Sequence, residues 1–463
     1  VDLSLLKQSD SPLFIFFVSM AFGIMFSILT GDHEILKGVL ILGPFLVFCW
    51  MTRRFLPEVL LFFFFGSLLV FTKADFVKLE PGSVVEITGQ VKKVYTDDFF
   101  MGKGRVLLGG EWRELPYKIM VSTNKSFVEN GKPDSGKIFW AVGKVEGTTF
   151  QPILKSEISA FVPPIGMGSF AENVRNSVKS ILAKYGVTNA LVFSTFFGNK
   201  APLDNHFKEA LKNIGISHIF AVSGLHVGLF YMIISYFMSL FLLPYHVKDL
   251  FSIFLTAAYV VCTGPVISAS RAFLMLLIYV IFRAIDYPQS PLNILGLSGI
   301  IMLGIEPFDL VLPDFQLSFL STSGILLCVM APQKKRPPFI QALLIGGAAQ
   351  GVTLPVSLNL FGNIALLAIP LTLVAVEFYL IPALVGTFGL LFFDIIKIKP
   401  LAFIFAKGLE FLSVCFEIVV VKLSEFSPVL RLESPYNYFA AFFVALLIVS
   451  LLFFSFAHSE QSP

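Results

Sequence analysis

Residues 216–243 read ISHIFAVSGLHVGLFYMIISYFMSLFLL. No Lys, Arg, Asp or Glu interrupts the run, and it exceeds the roughly 20 residues that a membrane helix needs. Its first half is broken by Ser217, His218, Ser223, Gly224, His226 and Gly228. In a bilayer such breaks persist only where protein or a water-filled cavity supplies hydrogen bonds. Ser223 and His226 lie three apart, so a helix puts them on one face. The ordinary reading is a helix-packing site, where glycines allow close approach. The functional reading is a polar wall.

Composition extends this to the whole chain. Of 463 residues, 56% are hydrophobic and 14% charged, against about 25% charged in soluble proteins. Mean hydropathy is +0.81, and there are 53 Phe. A soluble globular protein cannot hide that much apolar surface, so this is an integral membrane protein. Disorder, coiled coil and a disulfide scaffold are excluded. The net charge of +3 names no partner. Cys49, Cys262, Cys328 and Cys415 lie in apolar stretches and read as small hydrophobes. The six histidines form no HxH or HExxH pattern. No metal site or cofactor is therefore expected.

Four segments follow. Segment 1–73 holds apolar runs at 13–29, 38–51 and 58–72, the first read as a membrane helix and not a cleaved signal peptide. Segment 74–163 changes character. Period-two stretches at 83–94, 104–108, 115–122, 137–145 and 150–156 alternate with Asp97-Asp98, Gly109-Gly110, Asn130-Gly131 and 133–136. Five short strands fit a small β-barrel of the OB type, or else a small β-sandwich. Segment 164–215 is amphipathic. Phe170, Val174, Val178, Ile181, Leu182 and Tyr185 share one face, with Glu172, Arg175, Asn176, Lys179 and Lys184 opposite, as in an interfacial helix. Segment 216–463 adds spans at 216–243, 250–264, 266–283, 292–305, 315–330, 339–360, 364–393 and 438–456. Stretch 401–426 carries five charges and reads as interfacial rather than spanning. The fold class is a polytopic α-helical membrane protein of about ten to twelve membrane helices, with an inserted β-barrel. No internal repeat supports an inverted-repeat transporter.

Positive residues mark cytoplasmic loops. Placing Arg53-Arg54 inside puts the β-domain outside. Placing Lys334-Lys335-Arg336 inside and counting backwards brings the chain to Ile216 from that same outer side.

Further polar residues stand in apolar surroundings. Arg271, in SASRAFLM (268–275), either snorkels or faces a path for anions. Gln316 and Ser318, in PDFQLSFLSTSGI (313–325), either bond backbone or neighbouring helices or line that path. Glu377 is a lone carboxylate that either neutralises Arg271 or a lysine, or is protonated. In the β-domain, Lys92, Lys93, Lys103 and Arg105 flank Phe99 and Phe100. Cations beside aromatics suit single-stranded nucleic acid; solvated loop charge is the ordinary alternative.

Together, Gly198, the stretch 203–215, HIFAVSGLHVG (218–228), SASRAFLM, PDFQLSFLSTSGI and LAIPL (367–371) resemble the ComEC family of competence membrane proteins, in family order and over nearly the whole chain. The resemblance implies a channel, not an enzyme. It would pass one DNA strand across the bacterial cytoplasmic membrane during natural transformation, with the barrel outside receiving DNA. Ser223, His226, Arg271, Gln316, Ser318 and Glu377 would be path candidates. Membrane lipids, an outer DNA receptor and an inner ATP-driven helicase-like protein would be its partners. Many members end in a metallo-β-lactamase-like domain. This chain lacks the histidine-rich metal motif, so strand degradation, if needed, would come from a separate nuclease or a missing part of the gene. Two other readings stay open. One is a membrane enzyme with His226 as general base on a lipid-linked substrate. The other is a small-anion transporter.

Overall fold

The computed structural model describes residues 11–30, 56–72, 82–96, 99–108, 110–115, 117–123, 128–129, 137–148, 151–162, 167–198, 203–241, 243–264, 266–287, 290–330, 337–365, 367–427 and 429–431, with isolated positions elsewhere. The expected spans 38–51 and 438–456 and the basic clusters 53–54 and 334–336 lie outside these residues, apart from isolated positions. So do the turns at 97–98 and 130–136.

In chain order, α1 (Pro12–Thr30) and α2 (Leu56–Thr72) precede seven strands. These are β1 (Val84–Thr96), β2 (Phe99–Leu108), β3 (Glu111–Glu114), β4 (Ile119–Thr123), β5 (Val128–Glu129), β6 (Ile138–Thr148) and β7 (Gln151–Val162). Helices α3 (Met167–Lys184), α4 (Ala190–Phe197) and α5 (Asn205–Asn213) follow, then α6 (Gly224–Ser239), α7 (Tyr245–Thr263), α8 (Ile267–Ala284) and α9 (Pro291–Ile305). The last are α10 (Pro313–Met330), α11 (Pro338–Phe361), α12 (Ala368–Ile395), which contains a π-turn at Val376–Leu380, and α13 (Lys399–Phe426). Among the described residues, α7, α8, α10, α11 and α12 are long and apolar enough to cross a membrane. Shorter apolar helices lie within α1, α2, α6 and α9. The chain is a multi-pass membrane protein.

Two compact units form. One comprises Val1–Asp75, Leu274–Ile364 and Leu430–Pro463; the other comprises Phe76–Phe273 and Ala365–Val429. In the first, α1 packs on α2 and α9. Small residues bring the backbones together: Ser67 Oγ donates to Gly23 O at 3.0 Å, and Ser19 Oγ donates to Val59 O. Leu13 N, an orphan donor of the first turn of α1, is satisfied by Asn293 Oδ1 at 3.1 Å.

The second unit carries the barrel. β1 pairs with β2 and β6, β6 with β7, β7 with β4, and β4 with β2, so five strands close a ring. This is the expected small barrel of the OB type. Two details differ. The expected third strand, 115–122, starts later, as β4 at Ile119, and an unexpected strand, β3, precedes it; both pair with β2. β2 begins at Phe99, earlier than expected, because its FFMGKG start has no alternation for a sequence reading to find. Ile87, Val91, Val106, Val121 and Leu154 are buried inside.

Helix α3 buries Val178, Leu182 and Tyr185 as its pattern predicts. It corrects the expected polar face at Arg175, which is only 7% exposed and donates to Cys262 O at 3.1 Å. A helical wheel cannot show that α7 covers this side of the helix. Two of the charges of α13 also have partners. Glu410 accepts from Thr188 N at 3.1 Å and Asn189 N at 3.3 Å, just before α4, and Glu417 accepts from Asn189 Nδ2 at 3.1 Å. A carboxylate at a helix N-terminus satisfies its orphan donors and its dipole. At the end of α3, Lys184 and the Tyr185 hydroxyl reach Asp394 at 2.5 and 2.8 Å, and that hydrogen bond raises the Lys184 pKa above its ordinary value.

Candidate functional site

The run 216–243 is not one helix. Ser217–Phe220 form a 3₁₀ turn, Ala221–Ser223 are not helical, and α6 starts only at Gly224. Ser223 is the N-cap residue, with extended backbone (φ −108°, ψ 172°). His226, at the third helical position, reaches back to it. Ser223 N donates to His226 Nδ1 at 3.3 Å, and Ser223 Oγ lies 3.0 Å from the same nitrogen. A backbone N–H can only donate, so Nδ1 accepts and the neutral ring carries its proton on Nε2. This is a capping box with His in place of the usual Glu or Gln.

His226 is fully buried (0% exposed), beside the Thr195 backbone. The ring supports the break from behind. It is also poorly placed as a general base, since Nδ1 is occupied by Ser223 and Nε2 bears hydrogen.

Arg271 sits on the second turn of α8 and is 5% exposed. A Cβ built on Gly224 would lie 3.3 Å from Arg271 Nη2 and 3.4 Å from Ala272 Cβ. The guanidinium therefore lies against the first residue of α6. A side chain at Gly224 would crowd it. Two positive features meet here, a fixed cation and the positive end of a helix dipole. Each disfavours the other, and both favour an anion. Arg271 thus does not snorkel to an exposed surface in this structure.

Glu377 stands on the π-turn of α12 and is exposed, whereas Arg271 is buried. No ion pair joins them among the described residues. Gln316 and Ser318 belong to the other unit. Gln316 is fully buried, and its Nε2 donates to Leu310 O at 2.9 Å, tying the start of α10 to the 3₁₀ turn Pro307–Val311. The Ser318 carbonyl accepts from Thr322 Oγ1 at 2.9 Å. These bonds within one stretch of chain fit the ordinary reading of that motif.

On the barrel, Phe100 is fully buried and meets Phe139 and Phe161 edge-on, with centroids 5.0 and 5.5 Å apart. It is a core residue, on which a base cannot stack, and this corrects its expected role. Phe99, Lys92 and Lys103 are half-buried, and Arg105 is exposed. Lys92 donates to Gln90 at 2.7 Å, and Gln90 is opposite Lys103 in the β1–β2 register. Lys93 lies on β1, but its side chain is outside the described residues.

Sequence reasoning missed three buried polar contacts in this unit. One is Arg175 on Cys262 O. Another is Tyr231 donating to Asp249 Oδ1 at 3.0 Å, one residue before an expected span. The third joins Thr195 Oγ1 and Tyr379 Oη at 3.1 Å. Among the described residues, no group of three or more His, Cys, Asp and Glu is arranged to hold a metal ion.

A membrane protein with an inserted five-stranded barrel and an interrupted, arginine-flanked helix is the class that these observations define. A family model described as Competence protein matches residues 195–458, more than half of the chain. The chain belongs to that family, and membership supports a role in competence. ComE operon protein 3 of Bacillus subtilis (strain 168) is 26% identical over 221 residues, which is 45% of this chain and 28% of that protein. The match thus spans little more than a quarter of this relative's length. No solved structure matches.

Proposed function

We propose that this protein is the channel that passes single-stranded DNA across the bacterial cytoplasmic membrane during natural transformation, with its barrel on the outer side. The carrying observation is Arg271 held against the start of α6 inside the family-matched region. A polyanion crossing a membrane needs fixed positive potential along a wet path. A guanidinium held at a helix N-terminus supplies part of it. Ser223 and Arg271 are the path residues favoured here. Lys92, Lys103, Arg105 and Phe99 form the reception surface on the barrel. An outer receptor and an inner ATP-driven helicase-like protein complete the system. The hydrogen bonding of His226 counts against a general-base enzyme.

The test is DNA uptake in a deletion strain. Labelled duplex DNA is offered, and surface-bound label is separated from internal label. Bound DNA that stays outside, with import restored by the intact gene, is the expected result. Unchanged import sinks the proposal.

A further inference from the structure

Helices α12 and α13 form an antiparallel hairpin whose two halves differ. Near the turn they pack tightly. A Cβ on Gly386 would lie 2.9 Å from Leu409, and one on Gly389 would lie 2.7 Å from the Phe405 ring. Beyond the π-turn at Val376–Leu380 they part, and a cavity of about 260 Å³ opens. Leu371, Val374 and Phe378 line one wall; Leu412, Val419 and Leu423 line the other. Tyr379 and Phe416 also line it and stack at 4.0 Å. Among the described residues, the only side-chain heteroatoms in the lining are the Cys415 thiol and Tyr379 Oη, which is already paired with Thr195.

We propose that this groove binds one acyl chain of a membrane phospholipid. Its dimensions select that occupant. From Leu412 to Leu423 the groove follows about 17 Å of helix, at about 1.5 Å per residue. Counting all the space not filled by atoms, about 700 Å³, the groove has a section of about 40 Å² over that length, whereas an α-helix about 10 Å across needs about 80 Å². A chain of methylenes fits; a partner helix does not. The groove is also continuous with exposed apolar surface. Phe378 is 72% exposed, and Val374 and Val419 are each 51% exposed, on or beside a helix long and apolar enough to cross the membrane. The π-turn makes the site, because an extra residue in the turn re-aims the helix where the groove begins.

The full chain is placed in phosphatidylethanolamine–phosphatidylglycerol nanodiscs with trace phosphatidylglycerol carrying a diazirine on its acyl chain. After irradiation, labelled residues are mapped by mass spectrometry. Labelling is expected to concentrate at 371–379 and 412–423, and to saturate with unlabelled lipid. Val419→Trp fills the groove and should weaken that labelling roughly tenfold, about 1.4 kcal/mol in affinity, while α7 labels as before. Cys415→Phe serves the same purpose if that variant does not fold. Even labelling of all exposed apolar faces overturns the site. So does labelling unchanged by the groove-filling variant, or protein–protein cross-links in place of lipid adducts. DNA import plays no part in this readout.

Discussion

Arg105 and Arg271 belong to one compact unit but live in opposite surroundings. On the barrel, the Arg105 side chain is 59% exposed and 3.1 Å from Glu114, whose side chain is 79% exposed. Among the helices, Arg271 and Arg175 are almost fully buried. Solvent screens the barrel pair, and such pairs contribute about 0–1 kcal/mol. A cation removed from water costs several kcal/mol unless carbonyls or dipoles replace its hydration. A barrel cation is therefore replaceable and acts by its share in a summed potential. A cation among the helices is individually required, and its neighbours are built around it.

The largest effect follows from that requirement. Arg271→Ala should lower transformation at least about tenfold while membrane abundance of folded protein stays normal. Arg271→Lys should retain part of the activity, since charge survives but the planar fork does not. Transformation frequency is the readout, with the protein quantified in membranes. Normal transformation by the alanine variant would erase the contrast between the two regions.

Arg175→Ala comes next and separates folding from transport. The loss leaves the Cys262 carbonyl without its charged donor in a buried setting, at a cost of about 1.5–3 kcal/mol. Unfolding in mixed micelles should shift accordingly, and Arg175→Gln should recover part of the loss through its amide donors. An unchanged midpoint would mean that α3 is held on α7 by apolar packing alone.

The same contrast sets what the sequence could reveal. The barrel was legible because inside and outside alternate with period two, as at Val85 and Ile87 against Glu86 and Thr88. Its edges were less so: Gly102 and Gly104 hide the alternation of β2, and burial of Phe100 depends on partners far along the chain. Among the helices, hydropathy located the spans but not their breaks. The polar residues at 217–228 marked the break, yet only three-dimensional placement shows His226 turned back to Ser223 and Gly224 pressed on Arg271. Arg175 and Glu410 look like surface charge on a wheel or in a hydropathy window. Their partners, Cys262 and Thr188, are 87 and 222 residues away. Partners that distant leave no mark on local periodicity.

The smallest effect belongs to the barrel. Arg105→Ala should change stability by less than about 1 kcal/mol, because solvent already screens the Glu114 pair. Its effect should appear in nucleic-acid binding. Full-length protein in nanodiscs, titrated with a fluorescent single-stranded oligonucleotide, is expected to bind weakly and to lose affinity as salt rises. If Arg105 neutralises one phosphate, the variant's log–log salt slope should be shallower by about 0.7. Arg113 gives the internal control. It too is exposed on the same barrel, 3.9 Å from Glu111, but it lies on β3, opposite Val106. Equal slope changes in the two variants would mean a diffuse electrostatic surface. A change confined to Arg105 would fix the DNA track along β1 and β2. No salt-dependent binding by the parent protein would remove the barrel from DNA reception and leave Arg271 as the point where the chain meets its polyanion.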